Sequence, residues 1–251
     1  MKISLVTLSF NQIDYLKEAL DSVLDQGYPE LDYIVVDPGS TDGSRALIQS
    51  YRTALAHVIF EPDHGAADGL NKGFSKASGE IFGFLNADDL LMKDSLKRVA
   101  AFFTMNPECD IAFGNGHTID GKGQPIRYYK ARNFSVNRYF FGGARWLQQS
   151  TFFQARAFAK SPRFNVENRT CWDGELFVKM VMRGAKVGYI DSNLASFRVH
   201  AASISGSGKL NEQFQRDSSR IFAEVQGREW RATDNLLRLL YRTTGFISGL
   251  S

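Results

Sequence analysis

The sequence predicts an α/β protein with a mostly parallel central sheet flanked by helices. Short apolar runs alternate with amphipathic segments of about a dozen residues from residue 3 to 115, the pattern of repeated strand–helix–strand units. Asn11, Asp37, Asp63 and Asp88 lie at or just past the ends of consecutive apolar runs. The length of 251 residues with 43% hydrophobic content suffices for one domain of this kind.

Each element follows from its residues. ISLVTL (3–8) is an apolar run bounded by Ser9, Asn11 and Gln12, a buried strand. Tyr15, Leu16, Ala19, Leu20, Val23 and Leu24 recur at helical spacing, with Asn11 or Asp14 as the cap and Gly27 and Pro29 as the stop. DYIVVD (32–37) is the second strand, followed by the turn PGSTDGS. A helix over 44–54, a strand over 57–62, a helix over 66–77 and a strand over 80–85 come next, then a helix over 93–106 and a strand over 109–115. GHTIDGKGQPIRYY (116–129) reads as a hairpin with Gly121 or Gly123 in its turn. Residues 150–158 read as a strand entering a short helix, 172–183 as a helix stopped by Gly184, and 186–191 and 195–200 as two strands. SISGSG (203–208) is a loop, and 209–226 a polar helix. No internal repeat or low-complexity segment interrupts this order.

Open α/β sheets bind ligands beyond the carboxyl ends of their strands, so the four polar residues at strand ends are expected to converge on one rim. A single Asn or Asp there is explained by a turn or helix cap; four at equivalent positions are not. The pair Asp88–Asp89 is chemically the sharpest signal. Mg²⁺ and Mn²⁺ prefer oxygen ligands and complete their shells with water and phosphate oxygens. One or two carboxylates therefore suffice beside a diphosphate. The competing reading is that the pair caps the helix starting near 93.

The bulk numbers narrow the function. A net charge of +3 gives no basis for general nucleic-acid binding. Cys109 and Cys171 have no metal or redox spacing and suit buried free thiols in a reducing cytosol. The amino-terminal segment MKISLVTLSFN reads as a strand and loop, not a signal peptide, and no run of 18 apolar residues offers a membrane span. The 20 Phe and 9 Tyr exceed what a core alone requires.

SLVTLSFNQIDYLKEALDSVLDQ, IVVDPGSTDGS, EPDHGAADGLNKGFSKASGEIFGFLNADD and WDGEL, in that order, resemble the family 2 glycosyltransferases of the GT-A fold over about residues 2–205. GLNKG and FLNADD look most like the branch that builds bacterial surface polysaccharides. The resemblance implies a donor-binding half (1–115), an acceptor-binding half of the same domain (116–208) and a helical extension (209–251). It implies a nucleotide-sugar donor, UDP-linked above others, a saccharide or polyprenyl-linked saccharide acceptor, and Mn²⁺ or Mg²⁺. Thr7, Ser9 and Asn11 would line the nucleotide pocket, and Asp37 would contact the base. Ser40, Thr41 and Asp42 would shape the adjoining turn. Asp63 and Asp68 would line the donor site, with Asn71 and Lys72 where the sugar or its phosphates pass.

The family's metal motif is Asp-x-Asp; here it reads Asn86-Ala87-Asp88. By that resemblance Asp88 would be the metal ligand and Asn86 a hydrogen-bonding contact to the donor. The family's Glu-Asp pair before a helix is here Trp172-Asp173. Asp173 would be the base that takes the acceptor hydroxyl's proton, with Glu175 as its competitor. Trp172 would supply an apolar wall or pack the acceptor. In FRVHAASIS, His200 would ligate metal and Arg198 approach the diphosphate; Gln148, Gln149 and Ser150 would lie on the acceptor side. The implied reaction is a single displacement with inversion. A nucleotidylyltransferase would need a Gly-rich basic loop after the first strand, absent from TLSFNQIDY. A catalytically inactive binding module is the other alternative, raised by Asn86 and Trp172.

Residues 228–247 join Arg228, Arg231, Arg238 and Arg242 to Trp230 and a leucine-rich face. Such a helix suits a membrane interface at the cytoplasmic face, where a polyprenyl-linked acceptor would lie, or docking on the domain or a second subunit.

Overall fold

The computed structural model describes residues 1–201, 203 and 210–247. The first apolar runs form β1 (Ile3–Leu8), β2 (Leu31–Val36), β3 (His57–Ile59) and β4 (Ile81–Asn86). Helices α1 (Ile13–Leu24), α2 (Ser44–Ser50) and α3 (Ala66–Lys76) connect them. β1 pairs in parallel with β2 and β4, and β2 with β3. Leu8 sits beside both Val36 and Asn86, so three strands end at one level and release their loops onto one rim.

The chain continues through β5 (Leu90–Leu91), α4 (Ser95–Met105), β6 (Ile111–Ile119) and β7 (Pro125–Tyr129). α5 (Val136–Phe141), β8 (Thr151–Gln154), α6 (Ala155–Ala159), α7 (Trp172–Met182) and β9 (Val187–Arg198) follow. Last come α8 (Asn211–Gln226) and α9 (Asp234–Ile247). Among the described residues the strands form one sheet in the order β3-β2-β1-β4-β8-β6-β9-β5, with β7 on β6. The β8 pairings, β5 on β9 and the β6–β7 hairpin are antiparallel; β6 and β9 are parallel.

Apolar helix stripes cover both faces of the sheet. Leu16, Leu20 and Val23 of α1 and Leu96, Val99 and Phe103 of α4 pack on one face. On the other, Leu70 and Phe74 of α3 and Leu176 and Phe177 of α7 meet Phe84, Phe153, Phe158 and Phe164. Phe74 alone touches five phenylalanine rings, at centroid distances of 5.0 to 6.4 Å. Much of the high phenylalanine content therefore builds this second core, although the aromatic content was expected to exceed what a core requires.

Several local expectations change. Neither Asn11 nor Asp14 caps α1. Its first turn is held by the β2–α2 loop, where Asp42 Oδ2 accepts from Ile13 N (2.9 Å) and Ser44 Oγ from Gln12 N (3.3 Å). The strand over 57–62 shortens to β3. The two strands expected over 186–200 are one, because Asp191–Asn193 passes a register shift opposite Asn115 instead of turning. The helical segment at 228–247 begins only at Asp234. Apart from Ser203, the loop over 203–208 lies outside the described residues.

Candidate active site

The first two loops are stitched together by side chains. Asn11, at φ 51°, donates its N–H to Ser40 Oγ (2.8 Å) and accepts from Thr41 N (2.9 Å). Asp37 is fully buried beyond β2. Its carboxylate accepts from Gly39 N, Ser40 N, Ser40 Oγ, Arg45 Nε and Ser9 Oγ at 2.6 to 3.2 Å. Burial alone would raise its pKa, but the bonds from Ser40, Arg45 and Gly39 outweigh it and hold the carboxyl below its ordinary value. Thr7 points inward to Tyr33 Oη at 2.9 Å.

The loop before α3 carries Asp63 and Asp68. Asp63 Oδ1 accepts from Gly65 N (2.8 Å), and burial with Asp68 nearby raises its pKa. Asp68 accepts from His64 N (3.0 Å) and faces Lys72 Nζ at 3.5 Å, while Lys72 also donates to the Pro62 carbonyl. Asn71 exchanges two bonds with the Phe164 backbone, at 2.8 and 3.1 Å. That ties α3 to the loop leading into α7.

Beyond β4 the two aspartates separate in role. Asp89 is fully buried and accepts from Asn86 Nδ2 (3.0 Å), Gln149 Nε2 (2.8 Å) and Arg198 N (2.8 Å). Burial, and then Asp88, push its pKa up. Asp88 turns the other way, with Oδ2 3.0 Å from His200 Nε2; the imidazole lies 4.6 Å from the Tyr15 ring. Arg198, 1% exposed, donates to the Asp88 carbonyl (2.8 Å), the Gly121 carbonyl (3.3 Å) and Glu18 (2.6 Å). Its guanidinium thus fastens the Asp88 loop to α1 and the hairpin turn. Sequence reasoning missed Glu18, which lies 180 residues away.

The third part of the rim is the start of α7. Asp173 is half-buried, and the one side-chain bond it receives in the described structure comes from Gly174 N (2.8 Å). Burial pushes its carboxyl up to about 6, against two backbone hydrogen bonds. Trp172 is 9% exposed and packs on Phe84 (5.4 Å) and Phe164 (5.8 Å). Arg169 donates to the His64 carbonyl, so this loop touches the Asp63–Asp68 loop. Asp37, Asp63, Asp88 and Asp173 therefore lie along one rim at the carboxyl ends of β1–β4. Glu175 faces away: 1% exposed, it is bonded by Asn165, Asn168, Lys179 and Arg220 at 2.6 to 3.2 Å. Burial opposes these partners, yet they hold it down at about 2. Arg220, from α8, is the long-range partner that sequence patterns did not reveal. A cavity of about 300 Å³ between α3 and α6 lies at the opposite end of β4, near Ser78 and Gly79, away from the rim.

No cluster of three metal-ligating side chains forms among the described residues. The pair Asp88–His200 still fits a divalent ion whose other positions are filled by diphosphate and water, a donor set suited to Mn²⁺ or Mg²⁺. Asp89 does not join it, because both its oxygens are engaged.

The fold and an acid-lined rim define an α/β protein of the kind that binds its ligand beyond the carboxyl ends of its strands. The model of glycosyl transferase family 2 matches residues 4–167, more than half of the chain, and the protein belongs to that family. A Nostoc protein described as an uncharacterized glycosyltransferase is 29% identical over 237 residues, covering 88% of this chain and 72% of its own. TuaG of Bacillus subtilis, named for teichuronic acid biosynthesis, is 35% identical over 127 residues, which span 49% of this chain and half of TuaG. Among solved structures, S. aureus TarS 1–349 in complex with UDP-GlcNAc superposes with a TM-score of 0.74 at 19% identity, covering 96% of this chain and 71% of that one. Mannosyltransferase PcManGT of Pyrobaculum calidifontis, in complex with GDP-Man and Mn²⁺, gives 0.69 at 16% identity, covering 99% and 75%. The fold is GT-A. No helix of the described residues is long and apolar enough to cross a membrane.

Proposed function

We propose that the chain moves a sugar from a nucleotide-diphosphate sugar, UDP-linked above others, to a hydroxyl of a saccharide or polyprenyl-linked saccharide during surface polysaccharide synthesis, with inversion at the anomeric carbon. The observation that carries this is the contrast between Asp173 and Glu175. Burial pushes the Asp173 carboxyl up to about 6, and among the described residues its carboxylate is engaged by adjacent backbone alone; Glu175 is saturated with partners that hold its carboxyl down. A carboxylate with the first profile can take a hydroxyl proton near neutral pH; one with the second cannot. Trp172, packed on the core, serves as the apolar wall that raises Asp173.

In this reading residues 1–115 hold the donor, 116–208 the acceptor, and 209–251 extend the domain. Asp37, with Ser9, Asn11 and the Ser40–Asp42 turn, forms the base pocket, and Thr7 supports it through Tyr33. Asp63, Asp68 and Lys72 face the sugar and phosphates, and Asn71 positions their helix. Asp88 and His200 would hold Mn²⁺ or Mg²⁺, whose charge stabilises the departing diphosphate. Asn86, Gln149 and Arg198 position this loop through Asp89 and the Asp88 carbonyl. A reaction at the cytoplasmic face fits α9. That helix docks Tyr241 on Phe141 at 5.7 Å while Leu236 and Leu239 remain 65% and 61% exposed.

Melting the protein with UDP-, GDP- and dTDP-sugars, with and without Mn²⁺, tests the reading. A shift for one base that grows with Mn²⁺, together with sugar transfer of inverted stereochemistry, supports it. No shift with any donor refutes it.

A further inference from the structure

Residues 121–147 contain six Lys or Arg and no Asp or Glu, in a chain of net charge +3. The segment borders the rim at both ends. Its Gly121 carbonyl accepts from Arg198, and a side chain at Gly121 would lie 3.6 Å from His200. At the other end, Tyr139 of α5 packs on Gly174, where an added Cβ would come 2.4 Å from its hydroxyl, directly beside Asp173. The basic segment therefore runs along the acceptor side, from the Asp88–His200 pair to the candidate base.

Within it, Arg132 and Arg145 lie directly opposite each other. They exchange backbone hydrogen bonds of 2.9 and 3.0 Å across an antiparallel bridge. Like charges so placed destabilise a pairing, and among the described residues neither has a carboxylate partner. Beside them Phe134 stacks on Phe113 at 4.7 Å and Trp146 lies edge-on to Phe134 at 5.8 Å. Among the described residues, Arg132 Nε and Arg138 Nη1 are buried donors without a hydrogen-bond partner, an arrangement that costs stability unless a ligand supplies an acceptor. The Arg138 guanidinium lies 5.6 Å from the Tyr241 ring. Of the acids that border the segment, Asp120 accepts from Lys122 N and Gln124 N within the hairpin turn, and Asp191 faces Lys130 at 3.7 Å and accepts from Asn115.

We propose that the acceptor is a polyanionic chain, carrying phosphodiester or uronate groups, and that the opposed Arg132–Arg145 pair binds one of its anions while a hydroxyl reaches Asp173. Guanidinium groups suit both phosphate and carboxylate through paired N–H donors. This rests on the glycosyltransfer reading and adds the charge class of its acceptor.

Fluorescence anisotropy on the whole protein tests it. The probes are labelled oligogalacturonate, the same oligosaccharide with its carboxyls reduced, and poly(glycerol phosphate). At least one anionic probe is expected to bind about tenfold tighter than the neutral one at low salt and to lose that advantage at high salt. Arg145→Gln and, separately, Arg127→Gln at the exposed β7 strand are expected to weaken the anionic probe several-fold and leave the neutral one unchanged. Lys97→Gln, on the distant α4, changes neither. Which anionic probe binds separates phosphate from carboxylate. Equal binding of charged and neutral probes, no binding of either anion, or an Arg145→Gln loss shared by the neutral probe overturns the proposal. Donor titration of the same sample keeps the outcomes apart, since a sample that binds nucleotide sugar but shows no charge preference refutes only this inference.

Discussion

Glu175→Gln isolates the clamp that joins the start of α7 to α8. In the native protein Glu175 receives Arg220 Nη2 at 2.6 Å, Lys179 Nζ at 2.7 Å and two asparagine amides. Its pKa is held at about 2 against an ordinary 4.5. Such a depression corresponds to roughly 3 kcal/mol of folding free energy. A group whose folded pKa is depressed stabilises the fold above its unfolded pKa and loses that contribution as pH falls through the folded value. The variant is therefore expected to be about 3 kcal/mol less stable at pH 7, a drop of about 6–12 °C in melting temperature for a chain of this size. Arg220 and Lys179 keep part of their hydration, with side chains 37% and 18% exposed, which holds the loss at the lower end for a broken buried pair. Differential melting from pH 7 to pH 2.5 is the assay. The gap between native and variant should be constant above about pH 5 and close as pH falls from about 4.5 toward 2. A gap that persists unchanged at pH 2.5, or no gap at pH 7, would refute the clamp.

Three further outcomes are expected. Asp173→Asn lowers transfer by about 10²–10⁴-fold while retaining nucleotide-sugar binding; in the native enzyme activity falls as pH drops through about 6, the value at which Asp173 takes up a proton. Asp88→Ala removes the Mn²⁺-dependent part of the donor-induced melting shift, and chelation with EDTA does the same to the native protein; retention of that shift in the variant would show that the ion sits elsewhere. Gly114→Ala places a methyl group 2.3 Å from Leu194 Cδ1 in the β6–β9 ladder and costs about 1–3 kcal/mol by overpacking, read by urea unfolding.

The parallel half of the sheet was legible because its cause is local. Apolar runs ending at Asn11, Asp37 and Asp88 specify both the strands and the rim they open onto. Orientation was less legible, because it depends on partners far along the chain. Thr7 lies in the right strand yet faces Tyr33. Asn71 lies on the right helix, yet its amide is engaged by Phe164. Gln149 and Arg198 come to the rim, but to Asp89, the Asp88 carbonyl and Glu18. The strand-end residues themselves differ in the same way: Asp88 is turned toward His200, and Asp37 is enclosed by its own loop. No spacing rule separates these cases, because each is decided by which buried polar atom needs a partner. The assignment of Asp173 over Glu175 came from the family pattern, and residues two apart on a helix face different directions; the Arg220 contact that engages Glu175 was not legible.

The two-residue strand β5 has a disproportionate effect. By pairing Leu90 with Ser196 and Leu91 with Ala195, it anchors the turn carrying Asp88 to the strand that leads into His200. Both proposed ligands then inherit their spacing from one hydrogen-bonded ladder and not from two independent loops. Loops elsewhere on the rim can shift without changing that spacing, because the ladder and not the loops sets it.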